Sequence, residues 1–288
     1  MAVVNTNIGA SVAQAALTRN DRALNTAMEQ LSTGKKINSA GDNAAGLAIS
    51  SRMTSQIRGL NAAINNANDA ISMINTAEGA LDEITNMLQR MRELAVQAGT
   101  GTTDSADRTY LNTEFSALRN EIDRIVDNTQ WNGRNIMDGS AGAATTTSTV
   151  AFQIGQDGVK TQTLSTSFGN FNNTTGKLSG LASKVITGAT IASGIAMASK
   201  SIEEIDVVIG DVSSQRATFG AVTNRLTHAV DNLTNVKTNS EAARSRILDT
   251  DYASATSELA RTQIIQQAGT AMLAQANALP QTVLALLQ

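Results

Sequence analysis

The side chains that could carry chemistry are few and scattered. His228 is the one histidine of the chain, set between Thr227 and Ala229. It suits a helix surface or a packing position, and a His-Glu-x-x-His zinc site needs two histidines. There is no cysteine, which excludes thiolate catalysis, disulfides and cysteine metal clusters. Asp249-Thr250-Asp251 opens like a calcium loop, but Ser254 stands where that loop needs glycine, so a helix cap is expected instead. Gly99-Thr100-Gly101 lacks the strand–helix context of a phosphate loop and reads as a helix stop. The acid pairs Asp82-Glu83 and Glu203-Glu204 read as solvated, because catalytic carboxylates need a shared pocket and no segment supplies one. No enzyme activity, metal or cofactor is expected.

The remaining chemistry is burial. Ala13, Leu17, Asn20, Leu24, Ala27 and Leu31 recur at alternating spacings of four and three. Near the other end, Ile265, Ala268, Met272, Ala276, Leu279, Val283 and Leu286 do nearly the same. Each ladder lays an apolar stripe along one side of a helix. Such a stripe at a terminus needs cover, first from the other terminus and then from copies of the chain. Ordering about 30 residues costs on the order of 30–60 kcal/mol. Burying the N-terminal ladder returns roughly 6–10 kcal/mol. The ends are therefore expected to order fully only inside an assembly. The candidate assembly residues are Leu17, Leu24, Leu31, Ile265, Met272, Leu279, Val283 and Leu286. Met53, Met73, Met87, Met91 and Met272 sit at helical spacing and read as core filler.

Long helices must position these stripes. The first is expected from Asn5 to Leu31, ending at Ser32-Thr33-Gly34. Asp42 then caps a very long helix starting near Ala44. Its ladder runs Met53, Ile57, Leu60, Ile64, Ala67, Ile71, Ile74, Ala77, Leu81, Ile84, Leu88, Met91, Ala95, Ala98. Two spacings of three adjoin between Ile71 and Ala77, which reads as a stammer. Asp104 caps a helix laddered by Leu111, Phe115, Leu118, Ile122 and Ile125, closed by Gln130-Trp131-Asn132-Gly133. Val150, Phe152 and Ile154 alternate as a strand, Gln156-Asp157-Gly158 turns, and Val159, Thr161 and Thr163 alternate again. Thr145-Thr146-Thr147-Ser148-Thr149 and Ser165-Thr166-Ser167 read as exposed linkers, with O-glycosylation as the sharper alternative. Helix returns through Ile202, Ile205, Ile209, Val212, Phe219, Leu226, Val230 and Leu233. A terminal helix follows Asp249, with a kink expected at Pro280. The fold class is mainly α: long antiparallel helices forming a coiled-coil-like bundle from both chain ends, plus a small β-hairpin insertion.

Composition agrees. Across 288 residues, aromatics are 3 %, so the core must be aliphatic. A net charge of −3 with pI ≈ 5.3 gives no sign of nucleic-acid binding. No run of 18 apolar residues exists, so no membrane insertion is expected. The first residues hold neither a basic region nor a continuous apolar stretch, so no cleavable signal peptide is expected.

The stretch from Leu31 through Ser32-Thr33-Gly34-Lys35-Lys36-Ile37-Asn38-Ser39-Ala40-Gly41-Asp42-Asn43-Ala44-Ala45-Gly46-Leu47-Ala48-Ile49 to Ser50 closely resembles the N-terminal signature of bacterial flagellins. The opening Asn5-Thr6-Asn7 and the ending from Ala274 to Leu287 resemble the same family. Asn43 departs from it, standing where a second Asp is common. The resemblance implies a subunit of the extracellular flagellar filament, a helical homopolymer built for motility and exported unfolded through the flagellar type III channel. It implies residues 1–42 and 251–288 as the inner coiled-coil domain, 43–140 and 183–250 as a helical rod domain, and 141–182 as a short variable hairpin insertion. Implied partners are a flagellar export chaperone, the filament cap protein and the hook–filament junction protein. The segment Gln89-Arg90-Met91-Arg92-Glu93-Leu94-Ala95-Val96-Gln97 resembles the flagellin region bound by Toll-like receptor 5. This implies receptor recognition by Arg90, Leu94, Gln97 and Glu114.

Overall fold

A computed structural model describes residues 7–142, 148–156, 162–172 and 176–285, with side chains through residue 278. Five helices dominate the described residues: α1 (Ile8–Thr33), α2 (Ala40–Ala98), α3 (Ser105–Asn128), α4 (Ile191–Leu248) and α5 (Tyr252–Ala285). Two antiparallel hairpins lie between α3 and α4: β1 (Gln130–Trp131) with β2 (Arg134–Asn135), and β3 (Thr149–Gln153) with β4 (Thr163–Ser167). The mainly helical reading with a small hairpin therefore holds. The chain forms two compact units, Met1–Ile57 with Thr238–Gln288, and Arg58–Lys237. The divisions fall within α2 and α4, away from the helix breaks near residues 43 and 250.

In the first unit, α1 pairs with α5. Asn7 caps α1, its Oδ1 accepting the Ala10 N–H at 3.0 Å. Gly34 ends it in the left-handed region (φ 70°), donating its N–H to the Gln30 carbonyl at 2.9 Å. The chain then pairs with the α4–α5 junction: Lys36 N–H donates to the Leu248 carbonyl and Thr250 N–H to the Gly34 carbonyl. The expected cap at Asp42 is displaced by one residue. Asn43 has extended backbone, and its Oδ1 accepts the Gly46 N–H at 2.8 Å. Asp42 Oδ2 instead accepts the N–H groups of Ser39 and Asn38, and these bonds hold its carboxyl below the usual range. Gly46 leaves room for Ile37, whose Cδ1 would lie 2.5 Å from any added Cβ. The signature stretch thus has a packing reason for this glycine and a capping reason for its Asn. Asp251 caps α5 through the Ala253 N–H at 3.0 Å, and α5 continues as helix through Pro280.

The second unit is built on one aliphatic core from α2, α3, α4 and the hairpin region. Its α2 seam runs Ala67, Ala70, Ile74, Ala77, Leu81, Ile84, Leu88, Met91, Ala95, Ala98, an unbroken alternation of three and four. The expected stammer is absent, because Ala70 rather than Ile71 takes the inward position. Small residues there let helices approach closely, and Ile71 packs at the flank. Ion pairs set antiparallel registers. Arg216 Nε reaches Glu78 Oε1 at 2.7 Å and Arg216 Nη2 reaches Asp82 Oδ1 at 3.1 Å. Arg92 Nε reaches Asp206 Oδ1 at 2.7 Å. Asp82 and Glu204, the latter paired with Lys184, are structural ion-pair partners rather than purely solvated acids. Arg108 is wholly buried, donating from Nε to the Ala98 carbonyl and from Nη2 to the Thr100 carbonyl, both at 2.8 Å. A cation there faces the negative end of α2.

One turn departs from expectation. Asn132 (φ 51°) and Gly133 (φ 74°) form the two-residue turn between β1 and β2, so they make a tight hairpin rather than merely ending α3. In the larger hairpin the second described strand is Thr163–Ser167, with Phe152 opposite Leu164 and Val150 opposite Thr166, and the expected alternation at Val159 and Thr161 falls outside the described residues. The inward pair Leu164 and Thr166 is buried and sets this register. Residues 157–161, and Thr145 to Thr147 of the hydroxyl cluster, lie outside the described residues.

Candidate assembly surface

The α1–α5 pair has an inner seam and an outer face, and they differ in chemistry. On α1 the seam is Ala13, Leu17, Asn20, Leu24, Ala27 and Leu31, half-buried or buried throughout. On α5 the inward positions are Ala255, Leu259, Thr262, Gln266, Gly269, Leu273 and Ala276. Most of these are small or polar. Gly269 lets Leu17 lie where its Cδ2 would be 2.8 Å from an added Cβ. Three side chains pin the register. Asn7 Nδ2 donates to the Ala276 carbonyl at 2.8 Å, Asn20 Nδ2 to the Thr262 carbonyl at 2.8 Å, and Gln266 Nε2 to Asp21 Oδ1 at 3.0 Å. Asn20 and Thr262 are buried, so slippage would strand their polar groups away from water.

The C-terminal ladder, Ala276 apart, leaves its described members exposed. Ile265 is 41 % exposed and Met272 67 %, with Ile264 also 67 %. Ala268 is exposed between them. The reading of Met272 as core filler is therefore corrected: it stands in solvent. The inward seam is offset from the greasy ladder because close packing favours small residues, and Ala255, Thr262 and Gly269 supply them. That small-residue spacing was the signal available in the sequence. Leu279 and Val283 lie in α5 beyond the described side chains, and Leu286 lies outside the described residues.

The receptor-like segment is in the second unit. Arg90 Nε pairs with Glu114 Oε1 at 2.8 Å and Arg90 Nη1 with Glu93 Oε2 at 3.0 Å. These partners, Glu114 first, raise the Arg90 pKa. Gln97 is exposed. Leu94 is only 1 % exposed and belongs to the core, so the four residues do not form one accessible patch. Gln89, Arg92, Glu93, Val96 and Gln97 line an open groove of about 500 Å³ beside it.

Among the described residues, no group of three or more His, Cys, Asp or Glu could hold a metal, and no helix is long and apolar enough to cross a membrane.

Comparison with known proteins gives a consistent picture. The bacterial flagellin N-terminal helical region matches residues 4–142, and the bacterial flagellin C-terminal helical region matches residues 202–287. A flagellin of Bacillus subtilis is 43 % identical over 303 residues, covering 99 % of each chain. A flagellin of Halalkalibacterium halodurans is 43 % identical over 286 residues, covering 99 % of this chain and 100 % of its own. Flagellin A of Vibrio cholerae is 35 % identical over 375 residues, covering 99 % of each. The fold is shared with a structure described as a flagellar hook-associated protein from Vibrio parahaemolyticus, at TM-score 0.59 and 14 % identity, covering 72 % of this chain and 100 % of that one.

Proposed function

The chain belongs to the bacterial flagellin family, and from that premise we propose that it polymerises with copies of itself into the extracellular flagellar filament that drives motility. The observation that carries this reading is the outward apolar face of α5. Ile264, Ala268 and Met272 stand exposed and Ile265 is only partly covered, and by sequence the stripe continues to Leu279, Val283 and Leu286. Removing the remaining exposure of the three large side chains is worth roughly 3–5 kcal/mol per subunit. Repeated along a helical polymer, that contact stabilises a stiff tube. The Leu17, Leu24 and Leu31 seam contributes by holding α5 in place. No reaction is part of this function.

In the same reading, residues 1–42 with 251–288 line the inside of the tube. Residues 43–140 with 183–250 form the next layer, carrying the 141–182 insertion. The subunit travels unfolded through the flagellar type III channel, a route that a chain lacking disulfides suits. The export chaperone, the filament cap protein and the hook–filament junction protein are its flagellar partners. The free subunit is a ligand of Toll-like receptor 5 through Arg90, Gln97 and Glu114, with Leu94 holding the helix that presents them. The Arg90–Glu114 pair, exposed and oriented across α2 and α3, supports this part.

The test of assembly is sedimentation and electron microscopy of purified chain. Wild type should form long tubes, and Ile265→Asp should stay soluble with its second unit intact by circular dichroism. Tubes formed normally by Ile265→Asp would overturn the reading of this face. A receptor reporter assay with Arg90→Ala plus Glu114→Ala tests the recognition part, and an unchanged response would refute it.

A further inference from the structure

This inference rests on the assembly reading and concerns the sulfur atoms of the chain. With no cysteine present, the methionine thioethers are its only sulfur. Six of the nine stand at the extremes of burial, while Met53 and Met87 are half-buried. Met91 and Met137 are sealed within the helical core, and Met73 is buried beside them. Met28, Met197 and Met272 are exposed. Of the exposed group, Met272 alone continues the outward stripe of α5, one turn beyond Ala268 and two beyond Ile265. Met28 sits on α1 among the exposed Thr26 and Glu29, and Met197 on α4 in the second unit.

We propose that Met272 is an oxidation-sensitive assembly residue: a peroxide-class oxidant converts its thioether to the sulfoxide in the free subunit, which then stops polymerising until the sulfoxide is reduced. The sulfur lone pair attacks one peroxide oxygen, an S–O bond forms and the O–O bond breaks. Sulfur is oxidised by two electrons while the peroxide is reduced, and the departing oxygen leaves as water after taking up a proton. The product carries a strong S–O dipole that water satisfies on the free subunit. In a subunit contact that water is lost, and the stripe neighbours Ile265 and Ala268 have no side-chain donor to replace it. The packed polymer shields the same side chain, so the oxidant acts on subunits before incorporation and spares those already built in.

The experiment treats purified full-length chain with hydrogen peroxide, maps sulfoxides by peptide mass spectrometry and measures the critical concentration by sedimentation. Met28, Met197 and Met272 should oxidise well ahead of Met91 and Met137. The critical concentration of oxidised wild type should rise by at least about tenfold. Methionine sulfoxide reductase supplied with a dithiol, which is oxidised to the disulfide as the oxygen leaves as water, should restore it. Met272→Leu, similar in volume, should keep its critical concentration under the same dose although Met28 and Met197 still oxidise. Unchanged polymerisation of oxidised wild type, or equal sensitivity of Met272→Leu, overturns the proposal. If Met272→Leu assembles poorly before treatment, Met272→Ile and the reductase rescue decide, and absence of rescue overturns it. Untreated wild type that forms no polymer would instead sink the assembly reading itself.

Discussion

Gly269 offers the sharpest test of how α1 and α5 are held. Its added Cβ would lie 2.8 Å from Leu17 Cδ2 and 3.1 Å from Leu17 Cγ. Two effects of opposite sign compete in Gly269→Ala. Removing a helical glycine gains about 1 kcal/mol. Pushing the flexible Leu17 tip off its rotamer costs about 0.5–1.5 kcal/mol, so the net change is near zero. Gly269→Val adds branched methyl groups to the same seam. Overpacking then costs about 1–3 kcal/mol, against a propensity gain of only a few tenths. The expected loss is about 1–2 kcal/mol. Thermal unfolding of the α1–α5 transition by far-UV circular dichroism measures both. Leu17→Ala should open the space that the added methyl groups of Gly269→Val need. The double variant should therefore be more stable than the sum of the two singles by about 1 kcal/mol. A Gly269→Val chain as stable as Gly269→Ala, or strictly additive singles, would refute the close-approach argument.

Two other glycines, both on α2, should respond in opposite directions. Gly46→Ala meets Ile37 Cδ1 at 2.5 Å and should destabilise by about 1–3 kcal/mol. Gly79→Ala, with nothing within 4 Å, should stabilise by about 1 kcal/mol in the same thermal assay. Arg108→Ala removes two charge-assisted bonds and orphans the carbonyls of Ala98 and Thr100. It should cost about 3–5 kcal/mol in denaturant unfolding, more than any of the exposed ion pairs. The carboxyl of Asp42 is lowered by the N–H groups of Ser39 and then Asn38. Its contribution is therefore present at neutral pH and lost as pH falls through that lowered value, and Asp42→Asn should flatten the acid limb of the stability curve.

Much was legible before any coordinates. The Leu17–Asn20–Leu24–Ala27–Leu31 ladder faces inward as read, because a period near 3.5 constrains which side of a helix can be buried. The Asp104 cap and the helical course of α3 follow from local hydrogen-bond chemistry. The Asn132-Gly133 turn was equally local, since both residues tolerate positive φ, yet the strands around it were too short to announce themselves. The strand Thr163–Ser167 was missed for a different reason: Ser165-Thr166-Ser167 has the polar composition of a linker. Only the burial of Leu164 and Thr166 reveals that the segment packs as a strand.

Amino-acid order by itself determined the helical class, the antiparallel course and the family, because periodicity, caps and a long shared signature are written along the chain. Only tertiary structure decided which face of α5 meets α1. Two stripes lie on that helix, a small-residue one and an apolar one. Close helix packing selected the first, through Gly269 against Leu17 and Asn20 against Thr262. The second was left to solvent, with Met272 at its centre, and no count of hydrophobic residues could have foretold that.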